Sequence, residues 1–288
     1  MHDYRRMGPR GLDSWVAAHG AGASPQLDRI CAQKDAHTAH LYWFTELPAA
    51  LAEARRTHRP ILSLRLLGRL DEELSCANSR FFRKLLYPDP AINAIMRRDF
   101  VLHWQSVRPV PKVTIDFGDG RRVERTLTGN SVHVVLDPRG EPVDAVPGLL
   151  SREAFAEQLA QSHAFARADR RQLRALHGRI ARRPVRAATP SRAFAASELA
   201  RAKHVVEAPL LRAVAVAVEL TNDTAQNLAL HRQIHEAFAE GAEWAGVDGF
   251  VEWIYADLFE MPLDDAALGL DVPDPFGDPI ERRVTGVA

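Results

Sequence analysis

Two cysteines in 288 residues, Cys31 and Cys76, are too few for a disulfide framework. Four cysteine or histidine ligands at zinc-site spacing are likewise missing, so no resident metal or other cofactor is expected. Net charge is absent as well, since 37 basic residues balance 37 acidic ones. That balance argues against nucleic-acid binding driven by bulk positive charge. Long apolar runs are missing too: Leu210–Leu220 is about half a membrane span and is broken by Arg212 and Glu219. The first thirty residues lack the apolar centre of a secretory signal. A cytoplasmic protein with no membrane partner is expected. Walker-type and Gly-x-Gly-x-x-Gly loops are also lacking, which removes the usual support for nucleotide binding.

What is present reads as a globular α/β chain. Apolar residues make up 46% and charged residues 26%, enough to fill a core and too apolar for a disordered chain. Residues 1–40 show no sustained periodicity and are expected as a partly irregular N-terminal extension, with a flexible tip at 20–25. The stretch 47–58 has helical spacing, and 61–67 (ILSLRLL) is a continuously apolar run, the mark of a strand covered on both faces. A helix is expected over 78–86 with Phe81, Phe82, Leu85 and Leu86 inward, then a helix over 91–98 and a strand over 100–107. Residues 112–127 predict a hairpin turned by Gly118-Asp119-Gly120, and 131–146 a second hairpin turned by Asp137-Pro138-Arg139-Gly140. Ser151 caps the next helix. An arginine-rich helical connector (166–196) and a helical C-terminal region (197–288) follow, the latter read as helices 197–220, 223–241 and 249–260. Thr221 and Asp223 read as capping residues between the first two.

The sharpest chemical feature is Ser75-Cys76-Ala77-Asn78-Ser79, between the buried strand and a helix. A cysteine at a helix start meets unpaired backbone N–H groups that favour the thiolate, the form that attacks disulfides and peroxides. Burial as a small apolar residue is the ordinary alternative. Cys76-Ala77-Asn78-Ser79, Phe81-Phe82, Asp89-Pro90 and Phe100-Val101, after a helix of ALAEARRTHRP type, resemble the bacterial branch of the thioredoxin-like fold. The hairpin Val134–Gly140 is similar to that family's last two strands.

The resemblance covers about residues 41–165. It implies a central sheet flanked by helices, with the helical C-terminal region added. It also implies Cys76 as a monothiol nucleophile and Ser79 as hydrogen-bond donor to its thiolate, with Ala77, Asn78, Asn130 and Ser131 as substrate contacts. A protein or low-molecular-weight thiol or disulfide is then the partner, with an external thiol or Cys31 to resolve the adduct.

The chain departs from the family at several points. Ser79 replaces the second cysteine, Ser75 an aromatic residue and Ser131 the proline that faces the site, while the 112–127 hairpin stands where a helix belongs. The alternative is therefore a non-catalytic interaction module of the same fold, presenting that hairpin and the C-terminal helices.

Other motifs read as structural. His231 and His235 share a helix face and are metal candidates only if a third ligand joins them, for which the spacing singles out none of His204, Asp223 and Glu236. Trp253, Tyr255 and Phe259 read as a docking surface, and His103-Trp104 as strand packing.

Overall fold

A computed structural model describes residues 3–126, 129–183, 214–266 and 268–269 (backbone only over 214–222). The tail from 270, the segment 184–213 with His204, and Thr128 lie outside the described residues. The architecture is mixed α/β, with a four-stranded sheet flanked by helices. β1 (Ile61–Leu67) is central and runs parallel to β2 (Val101–Arg108). On its other side it pairs antiparallel with β5 (Ser131–Leu136), which pairs antiparallel with β6 (Pro142–Pro147). The order is β2-β1-β5-β6. All seven residues of β1 and all six of β5 are buried, as a strand covered on both faces requires.

Between β1 and β2 lie α4 (Ala77–Phe81), a π-helical turn over Phe82–Leu86, and α5 (Pro90–Asp99). α5 starts on Asp89, whose Oδ1 accepts from the backbone N–H groups of Ala91 and Ile92. The π turn corrects one expectation. Its wider i→i+5 winding changes which residues face inward, so Arg83 is fully buried and Leu85 is 50% exposed. α3 (Leu47–Thr57) covers the sheet through Ala50 and Ala54.

The segment 112–126 leaves the main sheet. β3 (Lys112–Asp116) and β4 (Arg122–Thr126) form a two-stranded ribbon whose turn has Gly118 and Gly120 at φ 76° and 89°. Thr126 Oγ1 accepts from Arg80 Nη2 at 3.1 Å, which ties the ribbon to α4.

The N-terminal forty residues are more ordered than their weak periodicity suggests. α1 (Pro9–His19) and α2 (Pro25–Cys31) are short, and Leu12, Trp15, Leu27, Ile30 and Cys31 close a small core of their own. Ser24 at the supposed flexible tip caps α2 by accepting from Gln26 N.

The C-terminal elements join the main core. α6 (Arg152–Phe165) begins on the Ser151 cap, and α7 (Arg170–Ala181) buries Leu173 and His177. α8 (Val214–Glu240) runs unbroken through residues 220–223, so positions 221 and 223 lie inside a helix and not at a helix start. Asp223 is buried mid-helix. α9 (Gly246–Trp253) continues as a π turn to Leu258. Tyr255 and Phe259 are buried, so they form core and not an outward docking face. Arg65 on β1 reaches Asp248 on α9 at 3.0 Å, and Arg108 donates to the carbonyls of Leu263 and Asp265. Core packing and these polar straps hold the C-terminal elements on the sheet.

Candidate functional site

Cys76 occupies the N-cap position of α4 but makes no side-chain capping hydrogen bond, and it is fully buried. Gly129 packs directly on it: a Cβ built on Gly129 would lie 2.3 Å from Cys76 Cβ. The wall is therefore backbone as well as side chains. Ser79 Oγ donates to the Cys76 carbonyl at 2.7 Å and lies 2.6 Å from Ser75 Oγ. Its hydroxyl is thus engaged by the turn itself. Asn78, Asn130 and Ser131 do come together: Asn78 Nδ2 donates to Asn130 Oδ1 and Ser131 Oγ, both at 3.2 Å. All three are buried, and Ala77 is half-buried. Tyr255 donates to the Asn130 carbonyl at 2.9 Å, covering the same cluster from the C-terminal side. Cys31 is buried in the N-terminal core, and burial pushes its thiol up to about 12.

Two buried imidazoles flank β1. Ser63 Oγ accepts from Arg65 Nε and lies 2.8 Å from His103 Nδ1. His133 Nε2 pairs with Tyr87 Oη at 2.8 Å. Burial holds both rings down to about 3, with Arg65 adding to the effect on His103. Both are neutral at physiological pH.

A second polar cluster lies where β6, α6, α7 and α8 meet. His231 Nε2 is 2.8 Å from Asp144 Oδ1, and His235 Nδ1 is 4.0 Å from the same oxygen. His177 Nδ1 is 2.6 Å from His235 Nδ1. Asp144 Oδ2 accepts from Ser162 Oγ at 2.6 Å. Desolvation would raise the Asp144 carboxyl, but the surrounding imidazoles outweigh it and hold the group below the usual carboxylate range. His231 and His235 are on one face of α8 as the sequence suggests. Asp144 and His177 escaped the sequence reading. Their one legible sign was an acid inside the apolar strand Pro142–Pro147, because a buried carboxylate demands partners.

The third feature is the ribbon. Val113, Ile115 and Phe117 are 41%, 46% and 54% exposed, on one face by alternation. Val123 stands opposite Ile115, and Arg125 opposite Val113. The Arg121 guanidinium lies 5.3 Å from the Phe117 ring centre. The face is an apolar stripe edged by arginines.

No helix among the described residues is long and apolar enough to cross a membrane. Comparison with family models, with curated proteins and with solved structures returns no match for this chain.

Proposed function

We propose that this chain is a thioredoxin-like protein-interaction module that docks a protein partner through the β3–β4 ribbon. The strand order β2-β1-β5-β6, with one parallel and two antiparallel pairings and a cysteine opening the first helix after β1, supports the resemblance. The observation that carries the function is the stripe of Val113, Ile115 and Phe117 left in solvent. A two-stranded ribbon is marginal by itself, and an apolar patch rimmed by polar groups marks an interaction surface. Arg121 and Arg125 at its edge suit a partner segment that combines apolar anchors with acidic residues.

A photo-crosslinking residue at position 115 identifies the partner, and binding is then measured with both proteins purified. Three anchors worth more than about 1 kcal/mol each predict at least about 100-fold weaker binding for the Val113→Ser/Ile115→Ser/Phe117→Ser variant. Cys76→Ser should bind as wild type. Unchanged affinity in the triple variant, or loss of binding in Cys76→Ser, refutes the proposal.

Monothiol exchange through Cys76 is the second reading, favoured by the sulfur's place at the N-cap of α4. Its thiolate would attack one sulfur of a mixed disulfide and release the other as a thiolate. The reaction requires Gly129 and α4 to part. Alkylation of Cys76 in a Cys31→Ser background separates the two readings. Fast labelling of the folded protein well below pH 8.5, the ordinary value of about 8.5 for a free thiol, favours exchange. Labelling only at the unfolding rate favours the module.

A further inference from the structure

We propose that Asp144, His231 and His235 bind a divalent transition-metal ion of the zinc class, with His177 as the adjacent fourth donor. The ion would clasp the C-terminal helices to the sheet. One ligand atom each from Asp144, His231 and His235 lies within 4.8 Å of the others. The donors come from three separate elements, β6, α7 and α8. His231 and His235, four residues apart, project from one side of α8.

The distances fit an ion. Zinc–nitrogen bonds of about 2.0–2.1 Å in a tetrahedron set neighbouring ligand atoms about 3.3 Å apart. The separations here, 2.6, 2.8 and 4.0 Å, lie on both sides of that value. Side-chain shifts of under about 1 Å bring them into range.

The surroundings also match. Metal-binding histidines commonly donate their second ring nitrogen to a carbonyl or carboxylate. His177 Nε2 stands 2.9 Å from the Val143 carbonyl, which fixes its proton there and turns the Nδ1 lone pair into the cluster. The Gln161 side-chain amide lies 3.3 Å from His235 Nε2, and turned over its oxygen can accept a hydrogen bond from that N–H. Ser162 Oγ donates to Asp144 Oδ2 and the Ala145 N–H to Oδ1, which fixes the orientation of the carboxylate.

Charge gives a further reason. Among the described residues, the basic side chains within ion-pair distance of Asp144 are the imidazoles of His231 and His235. Imidazoles that hold a metal do so through neutral lone pairs, which by themselves do not cancel a buried carboxylate. A dication does. All four side chains are at most 3% exposed, so the site is closed and structural in kind.

The competing occupant is a set of shared protons, with His235 Nδ1–H donating to His177 Nδ1 and His231 Nε2–H to Asp144. The test uses the full chain, stripped with a chelator and checked for folding by circular dichroism. Zinc is then added and uptake is measured by elemental analysis after gel filtration, alongside the thermal midpoint. One retained equivalent and a raised midpoint are expected, with tetrahedral d–d bands when cobalt replaces zinc. His231→Gln and His235→Gln should lose all three signals, while exposed His37→Gln keeps them. Ser162→Ala should bind about 10–100-fold more weakly. If folded wild type takes up no stoichiometric zinc and its midpoint does not move, the cluster is a proton network and the proposal fails. It fails equally if His235→Gln binds as wild type does. Should either glutamine variant not fold, uptake by wild type together with the Ser162→Ala affinity decides.

Discussion

β1 and β3 are both short strands carrying aliphatic residues, yet β1 is buried at all seven positions and β3 is exposed at all five. The sequences already differ in kind. β1 is a continuous apolar run, suited to two covered faces, whereas β3 alternates and so has one apolar and one polar face. The main sheet supplies both covers for β1: α3 lies over it, and Arg65 and Tyr255 link it to the C-terminal elements. β3 has its polar face in water and its apolar face in water too. Its pattern is complete for a half-buried strand, and what is missing is the cover.

The largest effect that can break this comparison is cavity formation. Leu64→Ala in β1 should destabilise the fold by about 2–5 kcal/mol, read as a lower urea midpoint. Ile115→Ala in β3 should change stability by no more than about 0.5 kcal/mol, because no packed neighbour is lost. A comparable cost at both positions would mean that the chain itself covers the ribbon, and the docking face would disappear.

Acid provides the next contrast. His103 on β2 and His133 on β5 are held to about 3 by burial, whereas the unfolded chain protonates them near 6.5. Between those values the unfolded state binds more protons, so stability rises with pH across that window. Lowering the pH to 5 should cost about 2 kcal/mol for each ring. The ribbon has no histidine to respond. His133→Phe should flatten the slope of stability against pH between about 4 and 6 by one proton's worth. Its absolute stability is a poorer guide, because the Tyr87 hydroxyl loses its partner. An unchanged slope would show that His133 titrates alike in both states.

The elements legible in the sequence are those with a strong local pattern. β1, both hairpins and the Ser151-capped helix fall within one or two residues of their expected places. Long-range packing hid the rest. α1 and α2 are too short to show a period, and Leu12 and Trp15 have meaning only against Leu27 and Ile30. Leu85 and Arg83 exchange roles because a π turn leaves no mark in composition. Asp223 resembles a cap because acids favour helix starts, yet α8 continues through it. The Asp144–His231 pair joins residues 87 apart, and no spacing rule reaches that far. In the candidate site, the sequence located Cys76 at a helix start but carried no sign that Gly129 would close over it.

The smallest expected effect separates the two faces of the ribbon. Arg122 pairs with Asp116 at 2.9 Å directly across the strands, on the polar face, with side chains 72% and 47% exposed. Ion pairs this exposed contribute about 0–1 kcal/mol, so Arg122→Ala should shift the urea midpoint slightly and less still in high salt. Its effect on partner affinity should be negligible, since the side chain points away from Val113 and Ile115. Arg121 sits over Phe117 on the opposite face. A cation–π contact at an exposed site is worth about 0.5–1 kcal/mol, so Arg121→Ala should weaken partner binding about two- to fivefold. Two adjacent arginines, equal in charge and both in solvent, thus predict different binding phenotypes from strand alternation alone. Equal losses from both substitutions would mean that the partner senses only the charge of the ribbon and not its apolar face.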